Sequence, residues 1–301
     1  MPDVTVHDLS QGRPASGAPT VLLVHGITGN GLCWREVAAE LGRRRGDGAL
    51  RVLAPDLRGR AESREVGPPY GMGAHAADMA QVARAQDGPV LLVGHSMGAF
   101  VAAVAMATDP TPYVAALLVD GALALPMPDG IDVDTALQAV IGPAMTRLSM
   151  RFESPQAYLD FWRQHPAVGP LLAGPAAETT QGYILHDLMP APDGDGYVST
   201  CVLEAIREDG GAVLVDPSVA PATKNALERG ARMELIWAAR GMLNEPQGLY
   251  DEGRLAAHAL PESLRITRAD ANHYSVILDP AGVATICDAI DRLLPASPRH
   301  D

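Results

Sequence analysis

The sequence predicts an α/β protein, a doubly wound and mostly parallel sheet with a helical lid inserted into it. Three observations predict this. Short continuous apolar runs recur at intervals too wide for hairpins; helix-like stretches fill the intervals; and one long segment breaks the alternation. Runs that are apolar at every position, with no period of two, suit strands buried on both faces, as parallel strands are. Strands alternating with helices imply a doubly wound sheet.

The runs come in order. Val21–Val24 leads into His25-Gly26, Arg51–Ala54 into Pro55-Asp56, and Pro89–Val93 into Gly94-His95-Ser96. Ala115–Val119 leads into Asp120-Gly121, and Met233–Ala238 and Leu264–Ala269 close the series. The core helices are expected at Cys33–Arg45, Ala74–Ala85, Gly98–Ala107 and Ala281–Leu294. Sites in such sheets form at the carboxyl ends of strands, so the residues that end these runs are where chemistry belongs.

The break runs from about Ala122 to Asp216. It reads as helices at Val133–Met150 (interrupted by Pro143), Pro155–Gln164, Ala176–Leu188 and Thr200–Glu208, with Pro- and Gly-rich joints such as Pro190–Gly194. The expected organisation is a core of residues 1–121 and 217–301 with a helical cap of residues 122–216 inserted between two strands.

Composition narrows the function. Of 301 residues 47% are hydrophobic and 20% charged, an ordinary globular balance. The formal charge of −13 disfavours nucleic acid and anionic lipid, both of which require a positive surface. Cys33, Cys201 and Cys287 are far apart and lack metal-ligand spacing, so they are expected as buried thiols in a reducing compartment. No leader is apparent in Met1–Gly17, and no apolar stretch approaches the ~20 residues of a membrane span. The expectation is a cytoplasmic protein with no membrane partner, a homodimer being left open.

The strongest chemical signal is Gly94-His95-Ser96-Met97-Gly98, a G-x-S-x-G between a strand and a helix-forming run. The glycines allow a strand-to-helix turn too tight for side chains, and that turn lifts the serine hydroxyl above the sheet edge. Such a hydroxyl needs a base. His273 follows the last strand run and precedes the final helix, so it can fold back towards Ser96. The other histidines fit less well: His7, His165, His258 and His300 lie in polar or terminal contexts, His75 opens a helix, His186 falls in the lid, and His95 should point away if Ser96 holds the apex.

Together these motifs resemble the α/β-hydrolase superfamily, within which the chain looks esterase- or lactonase-like: His25–Gly29, then Asp56–Arg60, the Ser96 turn, and His273 near the end, all in the family's order. The resemblance covers roughly residues 18–121 and 217–295. Arg60-Ala61-Glu62-Ser63 departs from the His-Gly-x-Ser of many relatives. The resemblance implies oxyanion donors at the amides of Ile27 and Met97, with His25 holding its loop rather than moving protons. It implies no metal and no organic cofactor.

The resemblance also exposes a gap. Many relatives carry the triad acid after the next-to-last strand, where this chain has Gly241. Asp120, ending the strand after the Ser96 helix, is the favoured replacement, a position used by zearalenone-lactonase-like enzymes. Glu245 is the alternative and Asp251 a more distant one. Candidate substrate contacts are Gly26, Trp34, Trp162 and Tyr183; the lid aromatics Phe152, Tyr158, Phe161, Trp162 and Tyr183 suit packing of the lid helices better than an apolar pocket wall. His186-Asp187 reads as a surface pair, with contact to a polar end of the substrate as the alternative.

The expected function is hydrolysis of hydrophobic small-molecule esters or lactones through an acyl-enzyme. Carbon–carbon bond hydrolysis or cofactor-free perhydrolysis on the same residues is the rival within catalysis, and a non-catalytic receptor the rival outside it. A second carboxylate on the substrate would need a cation in the lid, where Arg147, Arg151 and Arg163 are the candidates.

Overall fold

The computed structural model describes residues 3–124 and 132–294. Its elements are β1 (Val6–Asp8), β2 (Thr20–Val24), α1 (Arg35–Arg45), β3 (Arg51–Pro55), α2 (Met72–Arg84), β4 (Val90–His95), α3 (Met97–Thr108) and β5 (Ala115–Val119). There follow α4 (Val133–Leu148), α5 (Pro155–Arg163), α6 (Ala177–His186), β6 (Leu188–Pro190), β7 (Tyr197–Ser199) and α7 (Leu203–Val215). The chain closes with α8 (Ala222–Glu228), β8 (Met233–Arg240), α9 (Glu252–Ala257), β9 (Arg265–Asn272), α10 (Ser275–Leu278) and α11 (Pro280–Leu293).

Seven strands form one sheet in the order β1-β3-β2-β4-β5-β8-β9, parallel throughout except for β1, which pairs antiparallel with β3 at the edge. The six expected runs all lie in this sheet. β1 is the strand that sequence reading missed, because its three residues, Val-His-Asp, carry no apolar run. The continuous hydrophobicity has the expected cause. Leu22, Val24, Leu92 and Leu118 pack with α2 and α3 on one face, while Val21, Leu23, Leu91 and Leu117 pack with α1 and α11 on the other. Helix α3 is buried at every position from Met97 to Met106, so it forms the hydrophobic spine behind the centre of the sheet.

Between β5 and β8 stand α4 to α8 and a two-stranded ladder, β6 with β7. Two expectations are corrected here. Helix α4 runs from Val133 to Leu148 through Pro143, without the interruption expected there. The Pro- and Gly-rich joint around Pro190–Gly194 is the turn of a hairpin, with Gly194 and Gly196 at positive φ. Phe152, Tyr158, Leu159 and Trp162 form the centre of this insertion's own small core.

Candidate active site

Segments that follow the carboxyl ends of β2, β4, β8 and β9 line one cavity, and the end of β5 lies behind it. Ser96 sits at φ 56°, ψ −122°, a strained turn between β4 and α3. Its neighbours show why glycine is required. A Cβ on Gly94 would lie 2.0 Å from the Gly98 carbonyl oxygen, and one on Gly98 would lie 2.2 Å from the Val24 oxygen. The Ser96 amide is anchored to the Val119 carbonyl (2.9 Å), so the turn is fastened to the end of β5.

Next along β5 comes Asp120, fully buried and itself at positive φ (45°). Its two oxygens do separate work. Oδ1 accepts the Ala238 amide at 3.0 Å, and Oδ2 lies 2.6 Å from Nδ1 of His273. A buried carboxylate on Nδ1 holds that nitrogen protonated, which leaves Nε2 as the acceptor. Ser96 and His273 both line the cavity, although no hydrogen bond joins them among the described residues. Catalytic contacts of unliganded sites are often loose and tighten with substrate.

Glu245 stands apart from this pair. It is exposed, and its Oε2 accepts the Leu243 amide (2.9 Å) within its own turn. Asp251 caps α9 through the Arg254 amide.

The loop after β2 closes the other side of Ser96. Gly26 approaches so near that a Cβ there would be 3.1 Å from Ser96 Cβ and 3.5 Å from Oγ. His25 is buried, with Nδ1 donating to the Gly26 carbonyl (2.7 Å) and Nε2 accepting the Leu57 amide (2.9 Å). Burial lowers its pKa to about 4, so the ring is neutral and acts as a strut of the loop. The Ile27 and Met97 amides have no acceptor among the described residues. Met97 opens α3, where first-turn amides are free and carry partial positive charge.

Two supports escaped sequence reading. His95, expected to point away, lines the same cavity and donates from Nε2 to the backbone oxygen of His273 (2.8 Å). Burial and the neighbouring His273 hold its pKa well below the usual histidine value, so it is a neutral donor. Arg60, the departure from His-Gly-x-Ser, is wholly buried and donates from Nε to the Ile27 carbonyl (2.9 Å). It also pairs with Asp209 of α7 at 2.5 Å, and Asp209 takes His75 Nε2 at 2.9 Å. One buried cation thus ties the insertion to the loop beside Ser96.

Of the candidate substrate contacts, Gly26 and Tyr183 line the cavity, and Tyr274, Met242, Ile277 and Leu278 join them. Trp34 and Trp162 do not. Trp34 is wholly buried beneath the site, edge-on to His95, and Trp162 packs in the insertion under the Arg147 guanidinium (5.2 Å). The cavity is partly open to solvent.

The pair His186-Asp187 is no surface pair. Asp187 is buried, and its carboxylate accepts from Arg147, Tyr158 (2.5 Å), Ser199 (2.9 Å) and Thr200 (2.9 Å). His186 turns instead to Asp56. The three cysteines are buried and free, and Cys33 reaches the cavity wall.

A family model described as the alpha/beta hydrolase family matches residues 21–286. The chain belongs to the alpha/beta hydrolase family. Lipase LipV of Mycobacterium tuberculosis is 35% identical over 127 residues, 42% of this chain and 45% of that protein, so the match spans less than half of that relative. Among solved structures, E-2-(acetamidomethylene)succinate hydrolase superposes with TM-score 0.69 at 20% identity, covering 96% of this chain and 95% of that one. The thioesterase domain from the curacin biosynthetic pathway gives TM-score 0.69 at 21% identity, covering 96% and 99%. At such identities these likenesses establish the hydrolase fold. Among the described residues no helix is long and apolar enough to cross a membrane.

Proposed function

We propose that this member of the family hydrolyses carboxylic esters or lactones of hydrophobic small molecules. The observation that carries the reading is the buried Asp120–His273 pair at 2.6 Å, opening on the cavity that Ser96 lines from its strained turn. In the proposed reaction Ser96 Oγ attacks the acyl carbon while His273 Nε2 takes its proton. Asp120 stabilises the imidazolium, and the free amides of Ile27 and Met97 receive the oxyanion. Losing one such donor typically costs ~3 kcal/mol of transition-state stabilisation. His273 then protonates the leaving alcohol, and water attacks the acyl-enzyme by the same route reversed.

An apolar substrate is favoured by what the insertion, read as a cap, does with its cations. Arg147 is spent on Asp187 and Tyr158, Arg151 on Asp193 (2.6 Å), and Arg163 on Asp160. A substrate with a second carboxylate, as many carbon–carbon hydrolases take, would have to displace one of these pairs. Tyr183, Met242, Tyr274 and Leu278 offer apolar surface instead. Incubation with a fluorophosphonate followed by peptide mass mapping tests the reading. The adduct is expected on Ser96, with simple aryl esters turned over; labelling elsewhere with Ser96 unmodified would overturn it.

A further inference from the structure

Away from the cavity, three residues remote in sequence converge on one oxygen. His7 of β1 places Nε2 2.9 Å from Asp56 Oδ2, and His186, the last residue of α6, places its Nε2 3.2 Å from the same atom. The two rings meet edge to face, 5.2 Å between centroids, and the three ligand atoms all lie within 4.8 Å of one another. We propose that His7, Asp56 and His186 form a binding site for a divalent ion of the zinc class, one that fastens the inserted helix α6 to the sheet.

The geometry is close to what such an ion needs. A tetrahedral zinc with bonds of ~2.0–2.1 Å sets neighbouring ligand atoms about 3.3 Å apart, near the 2.9 and 3.2 Å that separate the two histidine nitrogens from Asp56 Oδ2. Two imidazoles and one carboxylate suit zinc or cobalt, whereas calcium and magnesium prefer all-oxygen shells. The carboxylate is already oriented, since Oδ1 accepts the Gly31 amide (2.8 Å) and Oδ2 the Glu62 amide (3.1 Å). Asp56 is wholly buried, but the histidine side chains are 15% and 16% exposed, so an ion has an entry path and water can complete its shell. Binding would put the ion in place of the protons that both Nε2 atoms now direct at Asp56 Oδ2. None of this depends on the chemistry assigned to Ser96.

The experiment uses the full chain, stripped with chelator and dialysed. Titration calorimetry with Zn²⁺ is expected to show one equivalent bound, and Zn²⁺ should raise Tm, because an ion that binds only the folded chain stabilises it. Co²⁺ should develop the strong visible absorption of a low-coordinate site, while Mg²⁺ and Ca²⁺ do nothing. His7→Gln and His186→Gln, both at partly exposed positions and so expected to fold, should each abolish the Zn²⁺-dependent Tm rise and the Co²⁺ band. Failure of the parent chain to bind Zn²⁺, or a Tm rise retained in both variants, would overturn the site.

Discussion

Replacing Asp120 by Asn keeps the volume of the side chain and removes its charge, and the surrounding hydrogen bonds dictate how the amide must sit. If its oxygen keeps the Ala238 amide, now accepted by Oδ1 at 3.0 Å, its NH₂ faces His273 Nδ1 in place of the oxygen at 2.6 Å. His273 then carries its proton on Nε2 and cannot accept one from Ser96. If the amide flips, its NH₂ meets the Ala238 N–H, and a buried donor left without an acceptor costs roughly 1–3 kcal/mol. That cost biases the variant towards the unproductive tautomer by about 5- to 150-fold. In the flipped minority the charge-assisted bond has become a neutral one, a further loss of about the same size. The product runs from about 30 to about 2 × 10⁴, a range whose upper part includes the ~10⁴ loss seen for the equivalent change in serine proteases. The assay is kcat for a p-nitrophenyl ester, with circular dichroism and Tm to confirm the fold. A loss below tenfold in a folded variant, or a larger loss in Glu245→Gln, would refute the assignment of the acid.

Other expectations follow the same contacts. Ser96→Ala should abolish ester hydrolysis and phosphonate labelling while leaving the thermal transition nearly unmoved, which calorimetry and turnover on one sample will check. Because no step of the proposed reaction passes through a metal, excess EDTA should leave kcat for an aryl ester unchanged; loss of turnover restored by a divalent ion would contradict it. Gly98→Ala drives a Cβ to 2.2 Å from a fixed backbone oxygen, so it should lower both Tm and activity, and unchanged values would argue against the turn geometry. Burial would raise the carboxyl of Asp209, but Arg60 and His75 outweigh it and hold its pKa at about 2, below the ordinary 3.8. Its contribution to stability is therefore present above about pH 4 and is lost as pH falls through 2. The Tm deficit of Asp209→Asn should accordingly be largest at neutral pH and narrow below pH 4, as scanning calorimetry across that range will show. In an acyl series each added methylene buried in the cavity is worth ~0.8 kcal/mol, about fourfold in kcat/KM, until the space is filled. Rates that fall steadily from acetate upwards would contradict an apolar acyl pocket.

Sheet and Ser96 turn were legible because their signals are local. A buried parallel strand must be apolar at each position, and a nucleophile turn must place glycine where Gly94 and Gly98 stand. The Asp120–His273 contact was half legible: Gly241 showed that the usual place for an acid is vacant, and the end of β5 offered Asp120, but only the fold puts that carboxylate against His273. What stayed hidden depends on long-range contact. His7, Asp56 and His186 carry no spacing that could advertise them, and the buried Asp187 looks, in one dimension, like any polar residue at a helix end. Arg60 read as a dull departure in a loop, whereas it joins Ile27 to Asp209 across the boundary between sheet and insertion. The aromatics Trp34 and Trp162 misled because residue type says what a side chain can cover, while packing decides which side of the wall it is on.

In the proposed mechanism the nucleophile Ser96 and the acid Asp120 end adjacent strands, and a Cβ on Gly121 would come within 2.2 Å of the Ser96 carbonyl oxygen. On that mechanism nucleophile and acid share the β4–β5 region, only His273 comes from β9, and the turn after β8, from Gly241 to Gln247, is released from supplying the acid. That turn still reaches the cavity through Met242. It is therefore where this chain can change in length and sequence with the least cost to reactivity, and where a library aimed at new acyl or ring preferences should be built.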